Sequence, residues 1–156
     1  MTASPSAAER LAALGLHLPP VPPPAGHYLP ARRHGDLVFT AGQLPLVDGT
    51  LPCTGLVGGQ VSAEQARDCA RLAALGALAA IVGLVGDLDA VTGIVKVTGF
   101  VASAPGFTAQ SAVLNGASEL LGTVFADAGK HARSAVGVAA LPLDAPVEVE
   151  VIASVR

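Results

Sequence analysis

Hydrophobic and polar positions along this chain follow two rhythms, and the changes between them mark its elements. Ser6-Ala7-Ala8-Glu9 has the Ser-x-x-Glu form of a helix start, followed by Arg10 to Leu14 and a stop at Gly15. The proline-rich run from Leu18 to Gly26 fits neither a helix nor a sheet interior and reads as an extended connector. Leu37-Val38-Phe39-Thr40-Ala41 predicts a short buried strand ended by Gly42-Gln43, and Val47-Asp48-Gly49-Thr50 predicts a tight turn. Ser62-Ala63-Glu64-Gln65 opens a second helix running to about Leu84, with Ala66, Ala70, Ala73, Ala77 and Ala80 on one face. So narrow a face permits close packing onto a sheet.

Gly93 to Val101 predicts a further strand, and Thr108 to Val124 a further helix, with Val113, Ala117, Leu120, Leu121 and Val124 on its apolar side. Gly116 and Gly122 weaken that helix, each by about 1 kcal/mol relative to alanine. Ser134–Ala140 and Val147–Ser154 complete the pattern as strands. This order predicts an α+β domain whose helices pack on one face of a mixed or antiparallel sheet. Residues 1–25 form an N-terminal helix and proline-rich extension, and residues 26–156 the main domain.

Composition sharpens this outline. Hydrophobic residues make up 51% of the 156 and charged residues 13%, against a usual charged share of about 25%. Such a chain has few polar groups to cover its surface, which predicts a homo-oligomer. The net charge of −3, the absence of Trp and the lack of a long basic run argue against nucleic-acid binding. Cys53 and Cys69 are too few for a disulfide framework and lack CxxC spacing, so each reads as an ordinary buried or half-buried thiol in a reducing compartment. No signal peptide is visible, and Leu72 to Val85 is short and glycine-interrupted for a bilayer span. The expectation is a soluble cytoplasmic protein.

Catalytic signatures such as GxSxG, GxGxxG and HExxH are missing, and the four histidines have no common metal spacing, so no metal or cofactor is predicted. Asp87 and Asp89 read as a solvated turn. What stands out is Arg133, a permanent cation in an apolar run, with a planar fork of donors suited to a carboxylate. His131, two residues earlier, shares its side if the strand has already begun. In Val147-Glu148-Val149-Glu150-Val151-Ile152, alternation puts both acids on one face and the valines on the other. Arg133 therefore has two readings: an anion site sharing a crevice with these acids, or an ordinary ion pair with Glu148 or Glu150.

Several segments together resemble the Rid family, also called the YjgF or endoribonuclease L-PSP family. They are Gly26-His27-Tyr28, Phe39-Thr40-Ala41-Gly42-Gln43-Leu44-Pro45, Ile94 to Val101, Ala132-Arg133-Ser134 through Pro142, and Val147 to Ala153, in family order. The resemblance implies a chorismate-mutase-like fold and a homotrimer with clefts between subunits. It further implies cofactor-free hydrolysis of reactive 2-imino acids to 2-keto acids and ammonia. By position, Arg133 matches the arginine that holds the substrate carboxylate, and Glu148 the acid that positions or activates water. Tyr28 matches a tyrosine near the site, and Gly42 a glycine that lets backbone approach the ligand. Three positions depart from the family pattern. Ala41 replaces a serine, Ala135 a residue that is often cysteine, and Ser111 a helix asparagine, with Asn115 one turn further on. The alternatives to a deaminase are a non-catalytic trimer binding small carboxylates and, from another class, an endoribonuclease or translation inhibitor.

Overall fold

The computed structural model describes residues 3–156. These residues form three α-helices, α1 (Ala7–Ala13), α2 (Ala63–Val85) and α3 (Gln110–Phe125), with five strands: β1 (Ala31–His34), β2 (Leu37–Thr40), β3 (Val91–Ala102), β4 (Ala132–Val138) and β5 (Val147–Val155). The strands form one sheet in the order β1-β2-β5-β3-β4, antiparallel throughout except for the parallel β3–β4 pair. A parallel pair needs a crossover, and α3 supplies it, which seats this helix over the β3–β4 edge. The α+β architecture with a mixed sheet is as the sequence predicts.

The caps explain where the helices begin. Ser6 and Glu9 form the reciprocal capping box of α1, and Ser62 and Gln65 that of α2. α2 ends at Gly86, which adopts φ +88°, a left-handed conformation glycine reaches without a Cβ clash. By length and composition α2 could cross a bilayer, contrary to the reading from Leu72 to Val85 alone. Its alanine face is spent inside the molecule instead: Ala66, Ala70, Ala73, Ala77 and Ala80 are buried with Leu78 and Ile81. The two main helices cross closely at Gly116 of α3, where a methyl group would fall on the Arg67 carbonyl oxygen of α2. The glycine that weakens α3 as an isolated helix is thus required by its packing.

One strand escapes the hydrophobic pattern. β1 reads Ala-Arg-Arg-His, and only Ala31 is buried. It is an edge strand paired to β2 through a two-residue turn at Gly35-Asp36, with His34 opposite Leu37, so register rather than burial specifies it. The predicted turn at Asp48-Gly49 forms with both residues at positive φ, and Val47 and Thr50 exchange backbone hydrogen bonds. α1 packs against α3 and the turn Leu88–Ala90. Leu11 is buried there, Arg10 Nη1 donates to the Val124 carbonyl at 3.2 Å, and the Ala8 amide donates to Asp89 Oδ1 at 3.1 Å. Asp89 is therefore more than a solvated turn residue, since it anchors the N-terminal helix.

Candidate functional site

The sheet has a helix-covered face and an open face, and pair registers assign Arg133, Ala135, Glu148 and Glu150 each to one of them. Val97 and Val101 of β3 are fully buried, and a methyl group on Gly99 would collide with Leu114 of α3, so these three residues face the helices. Arg133 pairs with Val97 and Ala135 with Gly99, so both point to the helix side. Glu148 pairs with Phe100 and Glu150 with Thr98, on the open face. Within one chain, then, Arg133 does not share a crevice or an ion pair with either acid. They lie on opposite faces, because alternation along β3 puts Val97 and Phe100 on opposite sides. His131 precedes β4, and its ring contacts the Ala132 carbonyl.

Arg133 is oriented by α3. Its Nη1 donates to Asn115 Oδ1 at 2.9 Å and to Ser118 Oγ at 3.1 Å, and its Nη2 donates to the Ser111 carbonyl at 3.3 Å. Three of the five guanidinium donors are thereby engaged. Among the described residues, Nε and the second Nη2 proton are left for a ligand, and no carboxylate neutralises the charge. Residues 111, 115 and 118 reach one group because they are spaced i, i+4 and i+7 on one helix face. Asn115 rather than Ser111 brings its side chain to the arginine, while Ser111 contributes only backbone. The sequence reading omitted Ser118; its i+3 spacing from Asn115 is the signal that could have found it.

Glu148 is half-buried on the open face and, among the described residues, has neither a cation nor a hydrogen-bond donor beside it. Burial, reinforced by the neighbouring Glu150 charge, raises its carboxyl above the ordinary value of 4.5. The backbone leaving β2 makes room for it. After Thr40, whose hydroxyl accepts the Val151 amide at 2.9 Å, the chain rejoins β5 where Gln43 and Val149 exchange backbone hydrogen bonds. Ala41 and Gly42 lie in this detour, and a methyl group on Gly42 would overlap Glu148 Oε1. Only glycine leaves the carboxylate its present place.

Tyr28 is 52% exposed. Its hydroxyl accepts the Ala25 amide at 3.3 Å, which holds it to its own turn. Ala135 packs partly into the core and presents only a methyl group. The chain thus gathers Arg133, Asn115, Ser118 and Ser111 into one cluster, and Glu148 with Gly42 into a second. Among the described residues no group of three or more His, Cys, Asp and Glu could hold a metal ion. Two surface hollows lie elsewhere, one between α1, α2 and α3 around Arg67 and Arg71, the other beside Arg10 and Arg156.

The family model described as Endoribonuclease L-PSP matches residues 20–155. The chain belongs to this family. Protein TCP17 of Trypanosoma cruzi is 40% identical over 153 residues, covering 97% of this chain and 96% of its own. A protein of unknown function from Agrobacterium tumefaciens is 42% identical with a TM-score of 0.88, over 94% of this chain and 91% of its own. TdcF of E. coli, solved with bound serine, is 30% identical with a TM-score of 0.61, over 87% and 93%. Within the L-PSP family the first two relatives align over nearly the whole chain, and the T. cruzi match leaves out too few residues to exclude α1.

Proposed function

We propose that this L-PSP family protein is a Rid-type deaminase that hydrolyses 2-imino acids to 2-keto acids and ammonia. It works without a cofactor, in the cytoplasm, as a homotrimer whose clefts combine two copies. The observation that carries this reading is the separation of two complementary half-sites. One face presents an oriented, unneutralised guanidinium, and the other a half-buried, unpaired carboxylate. One chain cannot aim both at one small molecule, whereas the open face of one copy against the β4 edge of another can. The number three follows the family resemblance.

The chemistry suits these two groups. Arg133 holds the substrate carboxylate with its free donors, a charge-assisted contact. That fixes the imine carbon, already electrophilic, at the neighbouring copy's Glu148. With the substrate bound as the protonated iminium, the carboxylate takes a proton from water as the water oxygen bonds to carbon and the C=N double bond becomes a single bond to an amine. The carboxylic acid gives that proton to the amine, and the regenerated carboxylate takes the hydroxyl proton as C=O forms, the C–N bond breaks and ammonia leaves. A carboxyl raised above its ordinary value is better suited to this exchange near neutrality.

Ala41 and Ala135 favour a second reading, a non-catalytic binder of small carboxylates, because they remove a hydroxyl and a thiol that could have met the ligand. TdcF with bound serine is consistent with either reading, since serine also carries a carboxylate. A nuclease reading lacks a basic surface to hold RNA.

The test is ammonia release from freshly generated 2-iminobutyrate by Arg133→Ala, by Glu148→Gln, and by mixed oligomers of the two. Each variant alone loses nearly all activity, Arg133→Ala about a thousandfold. Random mixing restores about a quarter of wild-type activity, because about a quarter of shared clefts receive both native groups. No recovery in confirmed mixed oligomers would overturn the shared cleft. A wild-type protein that binds 2-ketobutyrate but releases no ammonia would establish the binder.

A further inference from the structure

We propose that Cys53 and Cys69 form a reversible intramolecular disulfide when the protein meets a peroxide, making a redox-responsive staple away from the Arg133 and Glu148 clusters. The two thiols are 16 positions apart, and neither sequence spacing nor composition marks them as a pair. The fold brings their sulfurs to 3.6 Å. Both are free, Cys69 buried on the rigid helix α2 at 1% exposure and Cys53 half-buried in the irregular segment between the Asp48-Gly49 turn and α2. A disulfide needs about 2.05 Å, so the sulfurs must close by about 1.5 Å, and the irregular segment can supply that movement where the helix cannot.

The surroundings set an order of events. Pro52 and Thr54 are exposed on either side of Cys53, so a small oxidant reaches Cys53 before Cys69. Burial, with the Cys53 contact adding to it, pushes the Cys69 thiol up to about 12; it stays protonated and waits. The Cys53 thiolate attacks hydrogen peroxide, forming an S–O bond and breaking the O–O bond. The departing hydroxide takes up the proton Cys53 released and becomes water. Cys69 sulfur then attacks the Cys53 sulfenic acid, the S–S bond forms, and the hydroxide that leaves takes the Cys69 proton as a second water. Two thiols are oxidised by two electrons, and one peroxide is reduced to two waters.

The bond would reach beyond the two cysteines. Two residues after Cys53, the Gly55 amide donates to the Asp144 carbonyl at 2.9 Å, in the turn that leads into β5 and Glu148. Oxidation therefore ties α2 covalently to the segment that braces the start of β5.

The experiment is a hydrogen peroxide titration of the reduced protein, read by intact mass and by tryptic peptides under non-reducing conditions. The expected product lacks the mass of two hydrogens, joins peptide 34–67 to peptide 68–71, and reverts with dithiothreitol. Its melting temperature is higher than that of the reduced form by about 5–10 °C, as for a closed loop of this length. Cys53→Ser and Cys69→Ala each abolish the cross-link. Should Cys69→Ala fail to fold, Cys53→Ser decides alone, since peroxide must then leave the buried Cys69 unmodified. Oxygen adducts at Cys53 with Cys69 still a free thiol, a cross-link between two chains, or an unchanged melting temperature in the linked protein would each overturn the proposal.

Discussion

On its helix-covered side β5 contributes Val147, Val149, Val151 and Ala153, all buried, while the alternate positions of the same strand contribute Glu148, Glu150, Ile152 and Ser154 to the open side. The first set joins α2, α3 and β3 in a core of small and branched apolar residues, each fully buried Val or Leu contributing about 1.5–3 kcal/mol. The second set meets Thr98, Phe100 and Lys96, whose Nζ donates to Ser134 Oγ at 3.0 Å. A period of two lets one strand hold the fold with one side and present chemistry with the other. Arg133 is the instructive exception. It points to the covered side, but from the edge strand β4, where α3 offers it Asn115 and Ser118 rather than leucine.

The most direct way to break this division of labour is Arg133→Ala. If the residue serves chemistry and not the fold, ammonia release falls about a thousandfold, the loss expected for a charge-assisted fork. The melting temperature stays within about 3 °C of wild type. A large fall in melting temperature would instead make the guanidinium a structural link between β4 and α3. The converse experiment is Leu78→Ala. Leu78 is wholly inaccessible in the core, so truncation costs about 3 kcal/mol in denaturant unfolding, while kcat per folded molecule is unchanged.

The covered side was the legible side. The capping boxes at Ser6 and Ser62, the alanine face of α2 and the valines of β5 all announce themselves, because burial imposes a period that sequence displays. β1 did not, since an exposed edge strand owes its place to pairing with β2. The candidate site residues stood out as types: Arg133 by its isolation, Glu148 by alternation. Their relation was not, because it depends on register, which puts Arg133 beside Val97 and Glu148 beside Phe100. The contact between Cys53 and Cys69 is equally a property of the fold.

Asn115→Ala sharpens the comparison at smaller scale. Asn115 touches the guanidinium from α3, so its loss leaves Ser118 and the Ser111 carbonyl to hold a looser clamp. The expected result is a rise in KM of about tenfold with kcat little changed, because the carboxylate contact weakens by roughly one charge-assisted hydrogen bond. Asn115→Asp separates orientation from charge: it keeps the acceptor but neutralises the cation, so KM rises further instead of recovering.

The smallest effect distinguishes the open face of a lone chain from the same face in an assembly. In the single chain the Glu148 carboxyl lies above its unfolded value, so the native state binds its proton more tightly than the unfolded state does. Glu148 is therefore least costly below about 4.5, the unfolded value, and its ionisation lowers stability as pH rises through the higher folded value. Glu148→Gln removes that cost, so the variant melts slightly higher than wild type at pH 7. The difference shrinks on acidification and disappears below pH 4.5. A neighbouring copy that brings Arg133 to Glu148 opposes this trend, because a cation favours the ionised form. The advantage of Glu148→Gln at pH 7 should then be larger in an Arg133→Ala background than in the native one. Equal advantages in the two backgrounds would mean that Arg133 of no copy reaches the carboxylate, and the two half-sites would remain apart.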